Sequence, residues 1–229
     1  MPLVEDLTRG PIPPGSNILV EFDPASQWYN ACVTIAAGWL RTGGAVSYNV
    51  ATQPPDEVRS QLLRFVPEVA DLEAGNTLRI IDVYTATLGH KSKEKYSVDS
   101  LKVTDASIEF SELMRKPPTP DRLMIEDDIT VEARFSDEKN WIEFELSRDF
   151  PHIKLRKMIG VTGILRGALS DWALKRLEGA ADGIIDIKLD EAGDVAEDLI
   201  RVRNMRGVAF NREWHHLNRS QNFEVTLDR

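Results

Sequence analysis

The sequence predicts an α/β fold: a central, mostly parallel, twisted sheet with helices on both faces and an antiparallel edge at the C-terminal end. Three observations predict it. From residue 17 to about residue 180, short apolar runs of strand length alternate with helix-period runs. This is the pattern of crossover units that lay parallel strands side by side. After Gly183 the period changes, and GIIDIKL, LIRVRNM and NFEVTL read as strands joined by polar connections that extend one edge of the sheet. The chain of 229 residues, 42% hydrophobic and 28% charged, is also long enough to bury one sizeable core.

Taken in order, residues 1–15 are rich in Pro and Gly and read as an irregular lead-in to a single domain over 16–229. Residues 17–21 (NILVE) form a strand. Residues 30–41 space Ala31, Ile35 and Trp39, and Val33, Ala37 and Leu40, at helical intervals until Gly43-Gly44 stops the run. AVSYNV is the next strand. Pro55-Asp56-Glu57 then opens a helix to Phe65, with proline in its first turn and acids at its positive end. LRIIDV (78–83) is a third strand. Residues 91–120 are polar, interrupted and partly helical, ending in KPPTP. The strand RLMI (122–125), the acidic cluster Glu126-Asp127-Asp128 and a helix over 141–148 follow. KMIGVTGIL (157–165) is a strand. SDWALKRLEG (170–179) is a helix capped by Ser170 or Asp171, and the strands after Gly183 are separated by EAGD and by a loop around His215-His216.

Composition narrows the function classes. With 28 basic against 37 acidic residues the formal charge is -9, which disfavours non-specific binding to phosphate backbones unless basic residues are segregated locally. Cys32 is the only cysteine, so no internal disulfide forms. No run approaches the length of a membrane span, and MPLVEDLTRGPIPPG is not a charged-then-apolar secretion signal. A cytoplasmic protein without a membrane partner is the expectation.

The junction VEFDPASQWYN, between the first strand and the first long helix, carries the functional question. The end of a central strand in such a sheet is the usual place for a ligand. A triphosphate there needs glycines that let backbone N–H groups turn inward, a lysine for the β/γ-phosphates and a Ser/Thr hydroxyl for magnesium. The loop offers Phe22, Asp23, Pro24, Ala25, Ser26, Gln27, Trp28 and Tyr29 instead. Asp23 adds negative charge, Pro24 removes a donor, and Trp28 is a large neutral ring. One lost charge-assisted hydrogen bond costs roughly 1.5–3 kcal/mol, and several are missing together. On a structural reading, Asp23 caps the helix, Pro24 is its first residue and Trp28 joins its apolar face. On the other, Trp28 and Tyr29 line a remodelled ligand pocket.

With its flanks, RGPIPPGSNILVEFDPASQWYN resembles the opening of the KaiC-like ATPases of the RecA superfamily, whose pattern is roughly GGIPxGSxxLVxGxPGSGKTT. Pro13, Gly15, Ser16, Leu19, Val20, Glu21, Pro24 and Ser26 stand in register with it. Phe22 and Ala25 replace glycines, and Gln27, Trp28 and Tyr29 fall on the final Gly-Lys-Thr. AVSYNVATQPPDEVRSQL is similar to the segment YVSxEExPEEIRxQ, with Thr52 and Gln53 at the paired glutamates of which one activates water. Pro55, Asp56, Glu57 and Arg59 are kept. RLMIEDD is similar to the magnesium-associated strand, with Glu126 or Asp127 as the carboxylate. LIRVRNMRGVAF resembles a strand that reaches a neighbouring subunit's nucleotide; there Asn204 replaces the lysine, and Arg206-Gly207 remain.

The resemblance implies a RecA-like P-loop NTPase fold whose phosphate loop, activating glutamates and trans lysine all depart from the pattern. It therefore implies a pseudo-ATPase with no catalytic residues and no expected cofactor, acting as a homo-oligomer such as a hexameric ring, or beside an active paralogue. The Elongator accessory subunits, RecA-like rings without a phosphate loop, are similar in this respect. The alternatives are a remodelled site that holds ATP and magnesium, and a nucleic-acid-binding module. Other features have plainer readings. Glu126-Asp127-Asp128 reads as a solvated strand end or as carboxylate ligands to a hard cation. His215 and His216, being adjacent, point different ways and suit a loop or interface better than a metal. Cys32 reads as a packed small hydrophobe. Arg201, Arg203, Arg206, Arg212 and Arg219 read either as an interface for the acidic 121–138 region of a neighbour or as scattered solvated charges.

Overall fold

The computed structural model describes residues 2–115, 122–193 and 195–228. The KPPTP segment, Asp121 and the last residue of EAGD lie outside the described residues. Strands β1 (Asn17–Phe22), β2 (Ala45–Val50), β3 (Leu78–Asp82), β4 (Arg122–Glu126), β5 (Ile159–Leu165), β6 (Gly183–Asp190), β7 (Glu197–Met205), β8 (His215–Arg219) and β9 (Val225–Leu227) form one sheet in the order β3-β2-β4-β5-β1-β6-β7-β8-β9. Pairing is parallel from β3 through β6 and antiparallel from β6 to β9, giving the expected mixed architecture. Every residue of β1, β2 and β4 is buried, as strands covered by helices on both faces must be.

The helices are α1 (Pro2–Glu5), α2 (Trp28–Arg41), α3 (Pro55–Leu62), α4 (Val69–Ala74), α5 (Tyr84–Thr87), α6 (Val103–Arg115), α7 (Ile129–Phe135), α8 (Glu138–Phe144), α9 (Phe150–Arg156) and α10 (Asp171–Ala180). A π-helical turn, Glu145–Asp149, joins α8 to α9. Alternation along the strands divides the core into two layers. Ile18, Val20, Phe22, Leu123 and Ile125 pack with α2 on one face. Leu19 and Ile164 pack with Ile129, Ile142 and Leu177 of α7, α8 and α10 on the other. Cys32 is buried in the α2 layer, where burial pushes its thiol up, as expected of a packed hydrophobe.

Several elements differ from the sequence expectation. The helix over 141–148 is interrupted: α8 ends at Phe144 and the wider π turn follows. The loop around His215-His216 is strand β8, paired with β7 through Leu199 and Ile200, and His216 Nδ1 lies 3.4 Å from Glu197 Oε2. Alternating apolar residues are too few in HHLNR to signal a strand; only Leu217 turns inward. The lead-in contains a helical turn whose Leu3 and Val4, with Leu7 and Ile12, are buried in the α2 layer. Among the described residues no helix is long and apolar enough to cross a membrane.

The lead-in is thus part of the core. Leu7→Ala should cost about 2–4 kcal/mol, the usual range for truncating a buried leucine, read as a lower urea midpoint at unchanged slope.

Candidate functional site

β1 ends at Phe22, and residues 23–27 turn the chain into α2. Within the turn, Ser26 donates both its N–H (3.0 Å) and its hydroxyl (2.8 Å) to the carbonyl of Asp23. Asp23 does not cap α2 and Pro24 does not begin it. The helix starts four residues later, with Gln27 in the capping position and no side-chain cap. The Asp23 carboxylate instead accepts from the Leu189 N–H at 3.2 Å and faces Arg166 Nη1 at 3.3 Å, tying the turn to β6 and to the end of β5. A carboxylate with these partners has less need of the helix terminus.

Trp28 is 1% exposed. Its indole Nε1–H donates to the Asp127 carbonyl at 2.5 Å, and its ring stacks on Phe22 at 5.6 Å with an interplanar angle of 25°. Tyr29 meets Phe22 edge-on at 5.6 Å. Beneath the indole lies Gly163 of β5, where a Cβ would stand 2.5 Å from Trp28 Nε1 and 2.3 Å from the Asp127 oxygen. Real Cβ atoms do not approach that closely, so the strand needs glycine here. The backbone N–H of Gln27 donates to Asp198 Oδ1 of β7 at 2.9 Å. A carboxylate of the chain itself thus sits on a donor of the loop. Burial raises the Asp198 pKa, while the bonds from Gln27 lower it.

Glu126, Asp127 and Asp128 are not a solvated strand end; all three are buried. Each carboxylate has different partners. Glu126 follows Ile125 by one residue and so points to the face away from α2, where Asn49 Nδ2 (3.2 Å) and Thr162 Oγ1 (3.0 Å) donate to it. Asp127 accepts from the Ala51 N–H at 3.0 Å and from the Thr52 hydroxyl at 2.7 Å. Burial pushes Asp127 up to about 6, against the lowering by its bonds from Thr52 and Ala51. Asp128 accepts from the Thr130 N–H at 2.9 Å and is the N-cap of α7. The acids Glu126, Asp127, Asp128 and Glu132 are therefore enclosed and not presented to a neighbour as a charged surface.

Of the residues singled out in the sequence, the fold gathers Phe22, Trp28, Tyr29, Thr52 and Asp127 around one strand-end junction. Gln53 faces α3 and exchanges amide hydrogen bonds with Gln61. Arg59 ties α3 to Glu73 at 3.0 Å and also bonds Glu94. Asn204 pairs with Ile184 in the β6–β7 ladder, and Arg206 reaches Gly179 O at 3.3 Å and Asp182 at 3.7 Å. Both stand beside the start of β6, at the opposite end of the sheet from Trp28. Arg201 and Arg203 pair with Asp186, and Arg203 also with Glu21 and Glu178. Sequence reading missed Asp198 and Gly163. An isolated glycine within GVTGIL is the one signal that could have found the second.

Neither a protein-family model nor a curated protein matches this chain. Solved structures do. The flagellar accessory protein FlaH from Methanocaldococcus jannaschii superposes with a TM-score of 0.73 at 15% identity, covering 99% of this chain and 95% of that one. A KaiC-like protein from Pyrococcus horikoshii gives 0.71 at 14% identity, with coverages of 98% and 94%. An uncharacterized Pyrococcus horikoshii protein, solved in complex with an unknown peptide, gives 0.77 at 14% identity, with 98% and 97% covered. The fold is RecA-like.

Two substitutions probe this junction. Trp28→Ala should cost about 3–5 kcal/mol, as for other buried aromatic truncations. Thr52→Ala should cost about 1–3 kcal/mol by leaving Asp127 short of a buried partner. Urea unfolding of the purified variants measures both.

Proposed function

We propose that this chain is a non-catalytic RecA-fold protein that works by assembly, with copies of itself or with an active paralogue. The observation that carries the reading is the Trp28 indole, buried and hydrogen-bonded to Asp127 at the phosphate-loop position. A magnesium-bound triphosphate does not fit the residues at this junction. The indole fills the space beside the strand ends, the Gln27 N–H is bonded to Asp198, and Asp23 adds charge of the wrong sign. Thr52 and Gln53 offer no base to activate water; Thr52 is bonded to Asp127 and Gln53 to Gln61. The neighbours' descriptions, a flagellar accessory protein and a complex with a peptide, support protein contact as a use of this fold. The pairing of Arg201, Arg203 and Arg206 with carboxylates of their own chain favours protein partners over nucleic acid.

Calorimetry with Mg-ATP tests the reading. Expected are no binding heat up to millimolar nucleotide and no phosphate release above a buffer control. Trp28→Lys should not restore binding, because the glycines and the hydroxyl remain absent. Light scattering should give a mass above the 25.8 kDa of one chain, alone or with the paralogue. Micromolar nucleotide binding with turnover would contradict the proposal.

A further inference from the structure

On the face of the sheet away from Trp28, the π turn brings two more carboxylates to Glu126. Oxygen atoms of Glu126, Glu145 and Asp149 all lie within 4.8 Å of one another. The three residues are 4%, 1% and 5% exposed. Glu145 and Asp149, four apart in the helical turn over Glu145–Asp149, stand on one side of it. We infer that Glu126, Glu145 and Asp149 form a buried site for one hard divalent cation, independent of the nucleotide position.

Acidity alone does not make the case; the unmet bonding does. Glu145 Oε2 and Asp149 Oδ2 are buried and have no hydrogen-bond partner, and neither has Oδ1 of Asn49, whose amide is bonded to Glu126. Native interiors rarely leave such oxygens unpaired, and each one is costly. Among the described residues, no lysine or arginine acts on Glu126, Glu145 or Asp149. Glu132, also buried, adds a fourth carboxylate whose pKa is raised by burial and then by Glu126, Asp127 and Asp149. Burial likewise pushes Glu126 up to about 7, with the charge of Asp127 adding, and raises Glu145 and Asp149, with the charge of Glu126 adding to both. A cation at the centre would relieve both the repulsion and the missing bonds.

The donor set selects the class of ion. Carboxylate oxygens suit hard cations, and nothing soft is present in the cluster. Carboxylate oxygens within 4.8 Å of one another can converge on one such ion. Thr162 and Asn49, bonded to Glu126, are positioning residues that orient this ligand. A surface groove bounded by Phe144, Arg148, His152 and Leu155 reaches Asp149 and supplies an entry path.

The test uses the full chain, stripped with EDTA and titrated with CaCl₂, MnCl₂ or MgCl₂ in nucleotide-free buffer. Calcium should be retained at one ion per chain and, at a hundredfold excess over Kd, should raise Tm by roughly 5–10 °C. Manganese should give a bound paramagnetic signal that calcium displaces. Glu145→Gln with Asp149→Asn should abolish retention yet raise the metal-free Tm, by removing the repulsion. The manganese signal in the unmodified chain decides the matter if that variant does not fold. Retention of none of the three ions, or equal binding by the double variant, would overturn the inference.

Discussion

The hydrogen bond from the Trp28 indole to the Asp127 carbonyl fixes the ends of four strands at once. Trp28 follows β1, and Asp127 follows β4. Once the indole holds the Asp127 backbone, the carboxylate of that residue reaches the Ala51 N–H and the Thr52 hydroxyl, just beyond β2. Gly163 of β5 must then lack a side chain, because both the indole and the carbonyl lie where its Cβ would go. Phe22 stacks on the ring. In a nucleotide-binding sheet this convergence of strand ends is a polar, open place. Here it is filled by aromatic carbon, with its single polar atom satisfied inside the protein.

The same constraint sorts the acids that follow β4. With Asp127 drawn toward Thr52, Glu126 points through the sheet to the opposite layer and Asp128 turns to cap α7. Three successive carboxylates therefore do three separate jobs. That of Asp127 is to close the junction. Glu126 meets Glu145 and Asp149, with oxygen atoms of all three within 4.8 Å of one another. The two faces of one strand end thus differ in kind: one is closed by the chain's own aromatic core, and the other has oxygens in excess of hydrogens.

The strand–helix alternation and the antiparallel edge were legible because period and breakers agree along most of the chain: NILVE, AVSYNV and GIIDIKL are strands as read, and Ser170 caps α10 through the Ala173 N–H. Where they disagree the reading slipped. Asp23-Pro24 carries a helix-start signature, but the Asp23 carboxylate is taken by Leu189 and Arg166, more than 140 residues away in sequence. EDD reads as a solvated strand end because consecutive acids are seldom buried. Its carboxylates are bonded by Asn49 and Thr52, at the end of β2 and just beyond it, and by Thr162 of β5. Glu145 and Asp149, four residues apart, share one helix side at ordinary helical spacing, but nothing local says that Glu126, from a strand, meets them there. In each case the deciding partner is distant in sequence, and local pattern cannot reach it.

The central claim is that the junction is closed by the protein's own core, and the indole proton of Trp28 reports on it directly. Hydrogen exchange of that proton, followed by NMR on protein labelled at tryptophan, should proceed only as fast as global unfolding allows, because the proton is buried and bonded to Asp127. Its resonance and its protection should not change on adding Mg-ATP. Rapid exchange under native conditions, or a shift of that resonance with nucleotide, would mean that the indole leaves its place and would contradict the account.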